Sequence, residues 1–250
     1  MIHTEMTAHG AAATAVRPER CPPLLQMRLR AVRAVIIDLD GTMVDTAPDF
    51  QLAVNRMRAE RHMAPLSLQS VSTCIGKGSE HLVRAVLRDE LAPDELERRF
   101  EAALAAYQRH YKDINGDQAQ VYAGVREGLD AMRAGGLLLA CVTNKPHALA
   151  SRLLALKGLS PYFKVVYGGD SLPLKKPHPL PILRTCADFG LRPEQAVVIG
   201  DSSNDAQAAR AAGCAVLNVP YGYNHGEPIA SADADAVVAD LLAAARMILS

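Results

Sequence analysis

The chain carries no net charge, with 27 Lys and Arg against 27 Asp and Glu in 250 residues. No global field therefore draws it to nucleic acid. No apolar run reaches the roughly 20 residues that cross a bilayer, and residues 1–30 lack the apolar stretch of a signal peptide. The five cysteines (Cys21, Cys74, Cys141, Cys186, Cys214) are odd in number and never spaced Cys-x-x-Cys. That spacing argues against a zinc site or a disulfide frame and for reduced thiols in a cytoplasmic protein. Neither Gly-x-x-x-x-Gly-Lys-Ser/Thr nor Gly-x-Gly-x-x-Gly follows an apolar strand, so a nucleotide cradle has no support. No repeat or low-complexity tract is visible.

What is present begins with 49% hydrophobic residues, enough for a substantial core. The stretch around which the rest is organised is Ala34-Val35-Ile36-Ile37-Asp38-Leu39-Asp40-Gly41-Thr42. A short continuous apolar run predicts a strand buried on both faces of a parallel sheet. Asp38 then falls at its C-terminal end, where open α/β sheets bind ligands. Gly41 allows a sharp turn, and Thr42 offers a hydroxyl and an N–H toward a ligand. Asp38 and Asp40 on a rigid support can hold a divalent cation and leave one oxygen free for attack.

Residues 1–30 read as a flexible extension, broken by Pro18, Pro22 and Pro23, with Met27 as an alternative start. Residues 50–116 carry helical periodicity and no strand signal. From Val121 onward short apolar runs alternate with helical ones, which implies right-handed crossovers and a parallel sheet. The expected architecture is thus α/β: a Rossmann-like parallel core (31–49 and 117–250) with a small all-helical cap domain (50–116) inserted after the first strand.

Polar groups recur where strands end: Asp38 and Asp40, Thr143 and Asn144, Asp201, and Lys176 in a following loop. Parallel strands bring these ends to one edge. Carboxylates, a hydroxyl and an ammonium together suit Mg²⁺ and a phosphoryl group, not zinc.

These motifs resemble, in order and spacing, those of the haloacid dehalogenase superfamily: Asp38-Leu39-Asp40-Gly41-Thr42, Val142-Thr143-Asn144, Lys176-Pro177 and Gly200-Asp201-Ser202-Ser203-Asn204-Asp205. A closer resemblance is to its bacterial phosphoglycolate phosphatases. It rests on Thr143-Asn144-Lys145-Pro146, Gly168-Gly169-Asp170, Lys175-Lys176-Pro177-His178-Pro179, Ala211-Ala212-Gly213-Cys214 and Tyr221-Gly222-Tyr223-Asn224. The resemblance implies Asp38 as nucleophile and Asp40 as acid and base, with Asp38, Asp40 (through its carbonyl) and Asp201 holding Mg²⁺ and Asp205 supporting them. It implies that Thr143 and the N–H groups near Asn144 hold phosphate and that Lys176 balances charge. The expected substrate is a small phosphate monoester, 2-phosphoglycolate first, with another metabolite phosphatase, a phosphomutase or a silent binding protein as alternatives. No nucleic acid or membrane partner is expected, and the protein is expected as a monomer or homodimer. Within the cap, Gly76-Lys77-Gly78 reads as an anion loop at a helix start, a candidate for the substrate's carboxylate. Lys175 reads as a solvated neighbour of Lys176, and Cys141 as core.

Overall fold

The computed structural model describes residues 23–250. Helix α1 (Pro23–Arg30) leads into strand β1 (Ala34–Ile37), followed by a short strand β2 (Val44–Asp45). Helices α2 (Ala47–Ala59), α3 (Leu68–Ser72), α4 (Ser79–Leu87) and α5 (Pro93–Ile114) come next. After β3 (Gln120–Val121) the chain continues through α6 (Val125–Ala134), β4 (Leu138–Val142), α7 (His147–Leu156) and β5 (Val165–Tyr167). It then runs through α8 (Leu180–Asp188), β6 (Ala196–Gly200), α9 (Ser203–Ala212), β7 (Ala215–Asn218), β8 (Ala236–Val237) and α10 (Leu241–Leu249).

Six strands form one parallel sheet in the order β5-β4-β1-β6-β7-β8. Central β1 pairs with β4 (Ile37 opposite Cys141) and with β6 (Ile37 opposite Ile199). Covered on both faces, its four residues are all buried, which is why the sequence there is continuous rather than alternating. Val35, Ile37, Leu139, Cys141, Val197 and Ile199 meet α1, α6, α7 and α10 on one face. Ala34, Ile36, Ala140, Val142 and Val198 meet α8 and α9 on the other. With every strand pointing the same way, the C-terminal ends share one edge.

Helices α2, α3, α4 and α5 surround a core of their own, which includes Phe50, Val54, Met57, Val83, Phe100, Tyr107 and Tyr111. The two places where the chain leaves and re-enters the sheet layer are tied together. β2 pairs antiparallel with β3, Val44 opposite Val121. Fully buried Asp49 accepts the N–H groups of Gly116 at 2.7 Å and Gln118 at 2.8 Å. The start of α2 is capped from the sheet side: the Tyr223 hydroxyl accepts from the N–H groups of Thr46 (2.8 Å) and Ala47 (2.9 Å) and donates to Asp45 (2.8 Å). It satisfies orphan donors that every helix N-terminus carries.

Residues 1–22 of the expected flexible extension lie outside the described residues. Residues 23–30 depart from that expectation. Pro23 occupies the first helical position, where a missing N–H costs nothing. Leu25 and Leu29, one helical turn apart, are buried in the sheet core alongside α10. Arg28 reaches Asp235 at 3.0 Å, and Asp235 also receives Arg210 at 2.7 Å. A chain beginning at Met27 is therefore expected to melt below the full chain. The lost Leu25 burial contributes about 1.5–3 kcal/mol, or about 3–12 °C in a protein of this size. Thermal melts of the two chains check this; equal midpoints would show that α1 adds nothing to the core.

Candidate active site

Each strand end delivers one part of the site. Asp38 follows β1 directly, its N–H bonded to the Ile199 carbonyl at 3.0 Å. Gly41 turns the chain with φ +86°, and a Cβ there would overlap the Asp201 carboxylate. The turn brings Asp40 back to bridge with Val44 and aims its carboxylate at the helical layer. Thr143 follows β4, Lys176 lies in the loop before α8, and Asp201 follows β6. Asp205 sits in the first turn of α9.

These groups converge. Lys176 Nζ donates to Asp205 Oδ1 (2.6 Å) and to the Val142 carbonyl (2.7 Å). It lies 2.9 Å from Asp38 Oδ1, at ion-pair range but out of hydrogen-bonding line. Asp201 accepts Thr42 Oγ1 at 2.8 Å and the Tyr223 N–H at 2.7 Å. Asp205 also accepts Ser202 Oγ at 2.6 Å. Oxygens of Asp38, Asp201 and Asp205 lie within 4.8 Å of one another.

One ammonium stands against three carboxylates here. Burial, then the Asp205 and Asp201 charges, push Asp38 up to about 8 against the pull of Lys176. Burial and Asp205 push Asp201 up to about 7. Burial works against the Lys176 ammonium too, but Asp205 and Asp38 outweigh it and raise its pKa. The cluster thus lacks positive charge and presents only oxygen donors. That chemistry fits a hard divalent cation.

Both acids bind protons more tightly in the folded chain than at their ordinary 3.8. Folding therefore takes up protons between about pH 4 and 8, and the metal-free protein loses stability as pH rises through that window. A divalent cation replaces the missing charge. We expect it to raise the melting temperature more at pH 8 than at pH 5; an equal rise at both would mean that it binds elsewhere.

Asp40, 8% exposed, accepts Thr46 Oγ1 at 2.8 Å and Lys145 Nζ at 3.0 Å, both on Oδ1. Its other oxygen takes no protein hydrogen bond among the described residues. Lys145 also donates to the Tyr111 hydroxyl. Phe50 and Tyr111 stack with centroids 4.8 Å apart, and Tyr107 stacks on Tyr111 at 5.6 Å. Between this aromatic wall and the sheet edge lies a cavity of about 60 Å³ lined by Asp38, Asp40, Thr143, Asn144 and Lys145, with Gly76, Gly78 and Ser79 from the helical layer.

Two expectations change, those for Thr42 and Lys77. Thr42 was expected to contact a ligand; it is fully buried with its hydroxyl committed to Asp201, so it orients a carboxylate. Asn144 lines the cavity, and its side-chain amide donates to the carbonyls of Gly76 (3.0 Å) and Lys176 (2.9 Å) and ties the two layers together. Lys77 is exposed and outside the cavity lining, because the loop docks through carbonyls. His225 binds that of Ile75 at 2.8 Å, and Asn144 and Asn204 bind that of Gly76. Lys175 is exposed beside buried Lys176, as expected, and its Nζ would lie 2.8 Å from a Cβ added at Gly78.

Lys145, Tyr107 and Tyr111 escaped the sequence reading as site residues. For Lys145 the available signal was a cation directly after a strand end at the converging edge. Cys141 is fully buried beneath the site; burial and Asp38 raise its pKa, so it remains a thiol of the core.

Residues 35–219 match the family described as haloacid dehalogenase-like hydrolase. The chain belongs to this family. A relative from Thiobacillus denitrificans, named phosphoglycolate phosphatase, is 46% identical over 217 residues, covering 87% of this chain and 96% of its own. One from Cupriavidus necator, named phosphoglycolate phosphatase, plasmid, is 47% identical over 211 residues, covering 83% of this chain and 89% of its own. A crystal structure from Haemophilus somnus 129PT, described as a predicted phosphoglycolate phosphatase, superposes with TM-score 0.79 at 35% identity, covering 87% of this chain and 98% of that one. As a haloacid dehalogenase-like hydrolase, the protein pairs a parallel-sheet core with a carboxylate cluster suited to a divalent cation. Among the described residues no helix is long and apolar enough to cross a membrane.

Proposed function

We propose that this protein is a Mg²⁺-dependent phosphatase that hydrolyses 2-phosphoglycolate to glycolate and phosphate through an aspartyl phosphate on Asp38. The observation that carries the reading is the size of the cavity joining Asp38 and Asp40 to the helical layer. At about 60 Å³ it holds roughly four to six water-sized centres. A cavity of that size favours a short leaving half over a hexose. The relatives' names point the same way.

Asp38 attacks phosphorus while the bond to the leaving oxygen breaks, and Asp40 gives that oxygen its proton. Asp40 then takes a proton from water as the water attacks the aspartyl phosphate, which frees Asp38 and phosphate. The free oxygen of Asp40 serves both transfers, while Thr46 and Lys145 hold the other. The Thr143 hydroxyl and the N–H groups of the turn after it bind phosphate oxygens. Lys176 lowers the repulsion between the Asp38 carboxylate and a dianionic ester. Asp38, Asp201 and the Asp40 carbonyl would hold Mg²⁺, with Asp205 in support; bound there, it supplies the remaining positive charge. Residues 50–116 act as the cap that closes over the leaving half and excludes water. The enzyme so read is cytoplasmic and acts on a small free metabolite.

Phosphate release from a panel of 2-phosphoglycolate, ethyl phosphate, glycerol phosphate and glucose 6-phosphate, with Mg²⁺ or with chelator, tests this. The reading requires 2-phosphoglycolate to lead in kcat/KM and chelator to stop turnover. A hexose phosphate in first place would overturn it.

The role of Asp40 has its own test. In Asp40→Asn, kcat/KM, which reports the first phosphoryl transfer, is expected to fall roughly 10²–10⁴-fold for 2-phosphoglycolate. It should fall much less for p-nitrophenyl phosphate, whose leaving group needs no proton. Equal losses on both esters would contradict an acid role.

A further inference from the structure

Among the described residues, the cavity beneath the helical layer has a single cation in its lining, Lys145. Lys77 is exposed outside it. Lys176 spends its donors on Asp205, the Val142 carbonyl and the Asp38 pairing. Lys112, Arg152 and Lys175 line the wider cleft at the mouth. We propose that the Lys145 ammonium receives the substrate's carboxylate and thereby selects two-carbon phosphate esters that end in an anion over neutral esters of the same shape. This rests on the phosphatase reading above and names the group that reads the far end of the leaving half.

The Lys145 side chain is 1% exposed. An ammonium has three N–H groups. Two find acceptors among the described residues, in Asp40 Oδ1 at 3.0 Å and the Tyr111 hydroxyl. The third has none. An unsatisfied charged donor in a dry site is costly, and a carboxylate is its strongest partner. The ammonium also lies 4.7 Å from the Phe50 ring centroid and 4.6 Å from that of Tyr111. These rings favour a cation, compete for no anion, and exclude the water that would screen the pair.

Position agrees with charge. A leaving oxygen protonated by Asp40 must lie about 2.6–3.2 Å from that carboxylate. In phosphoglycolate the carboxylate carbon is only two bonds beyond this oxygen. Lys145 is bonded to the same Asp40. A substrate with phosphorus at Asp38 and its leaving oxygen at Asp40 therefore has its carboxylate beside Lys145. The narrow inner cavity fits a short leaving half, and the wider cleft begins only beyond it.

A lysine that only positioned Asp40 would affect every ester alike, so the test is a ratio. kcat/KM is measured with Mg²⁺ on 2-phosphoglycolate and on 2-phosphoglycolamide, which has the same shape without the charge. The proteins are wild type, Lys145→Met and Lys145→Gln, with melting curves alongside. Wild type is expected to prefer the carboxylate at least tenfold. Both variants are expected to lose that preference by about 10–100-fold, the span of one charge-assisted contact, mainly in KM. Lys145→Gln keeps a polar group at the site should Lys145→Met fail to fold. Preference retained in a folded variant, or losses equal on both esters, would overturn the proposal. So would a wild type indifferent to the charge, whatever the variants do. If wild type released phosphate from neither ester, the phosphatase reading itself would fall. If wild type hydrolysed 2-phosphoglycolate with Mg²⁺ but its preference survived in the variants, this inference alone would.

Discussion

Asp38→Asn is expected to lower kcat on 2-phosphoglycolate by roughly 10⁴–10⁶-fold, the scale seen when a covalent nucleophile is removed. An amide is a poor nucleophile and a weaker cation ligand. The fold should survive, since Asp38 closes β1 through its backbone N–H to Ile199, which the substitution keeps. Stability should move in the opposite direction from activity. Burial and neighbouring carboxylates hold the Asp38 acid at about 8, so the folded chain prefers a neutral side chain there. At pH 8 without metal, the variant should melt at or above wild type. Circular dichroism melts with steady-state kinetics measure both. A folded variant with wild-type turnover would remove Asp38 from the mechanism.

Lys176→Met is expected to reduce both activity and stability. The lysine is 3% exposed and lies between Asp38 and Asp205. Removing it leaves buried carboxylates without their counter-charge. Breaking such a pair costs about 3–5 kcal/mol, or roughly 6–20 °C here. Turnover should fall roughly 10²–10³-fold, the scale of one lost electrostatic stabiliser. A divalent cation should recover part of the melting temperature and little of the rate, because the cation and the ammonium occupy different places. Lys176→Arg should not restore the wild type, since a planar fork cannot place three donors as an ammonium does. A Lys176→Met protein that melts like wild type would show that the carboxylates are neutralised by other means.

The sheet edge was legible because a few local rules determine it. An unbroken apolar run such as Ala34–Ile37 is a strand covered on both faces, and parallel strands send Asp38, Thr143 and Asp201 to one place. The helical layer was legible from its periodicity, and Pro93 marks the start of α5. What escaped depends on contacts between distant residues. The β2–β3 pair has two residues per strand, too few to show alternation. Ahead of β1, Pro18, Pro22 and Pro23 suggested a break, but Pro23 stands where α1 accepts it, and only the fold shows Leu25 and Leu29 meeting a core. Lys77 offered the right charge beside two glycines, yet the direction of its side chain is set by His225, Asn144 and Asn204 binding the loop's carbonyls. Lys145 carried no assigned role within Thr143-Asn144-Lys145-Pro146, because Asp40, Phe50 and Tyr111 reach it from elsewhere in the chain.

Rapid acid quench during turnover of 2-phosphoglycolate with Mg²⁺, followed by peptide mass analysis, tests the central claim most directly. Attack by Asp38 requires a phosphoryl group on the peptide that contains Asp38, formed only with Mg²⁺ and absent from Asp38→Asn. A phosphoryl group on any other residue, or rapid glycolate release from the Asp38→Asn protein, would contradict it.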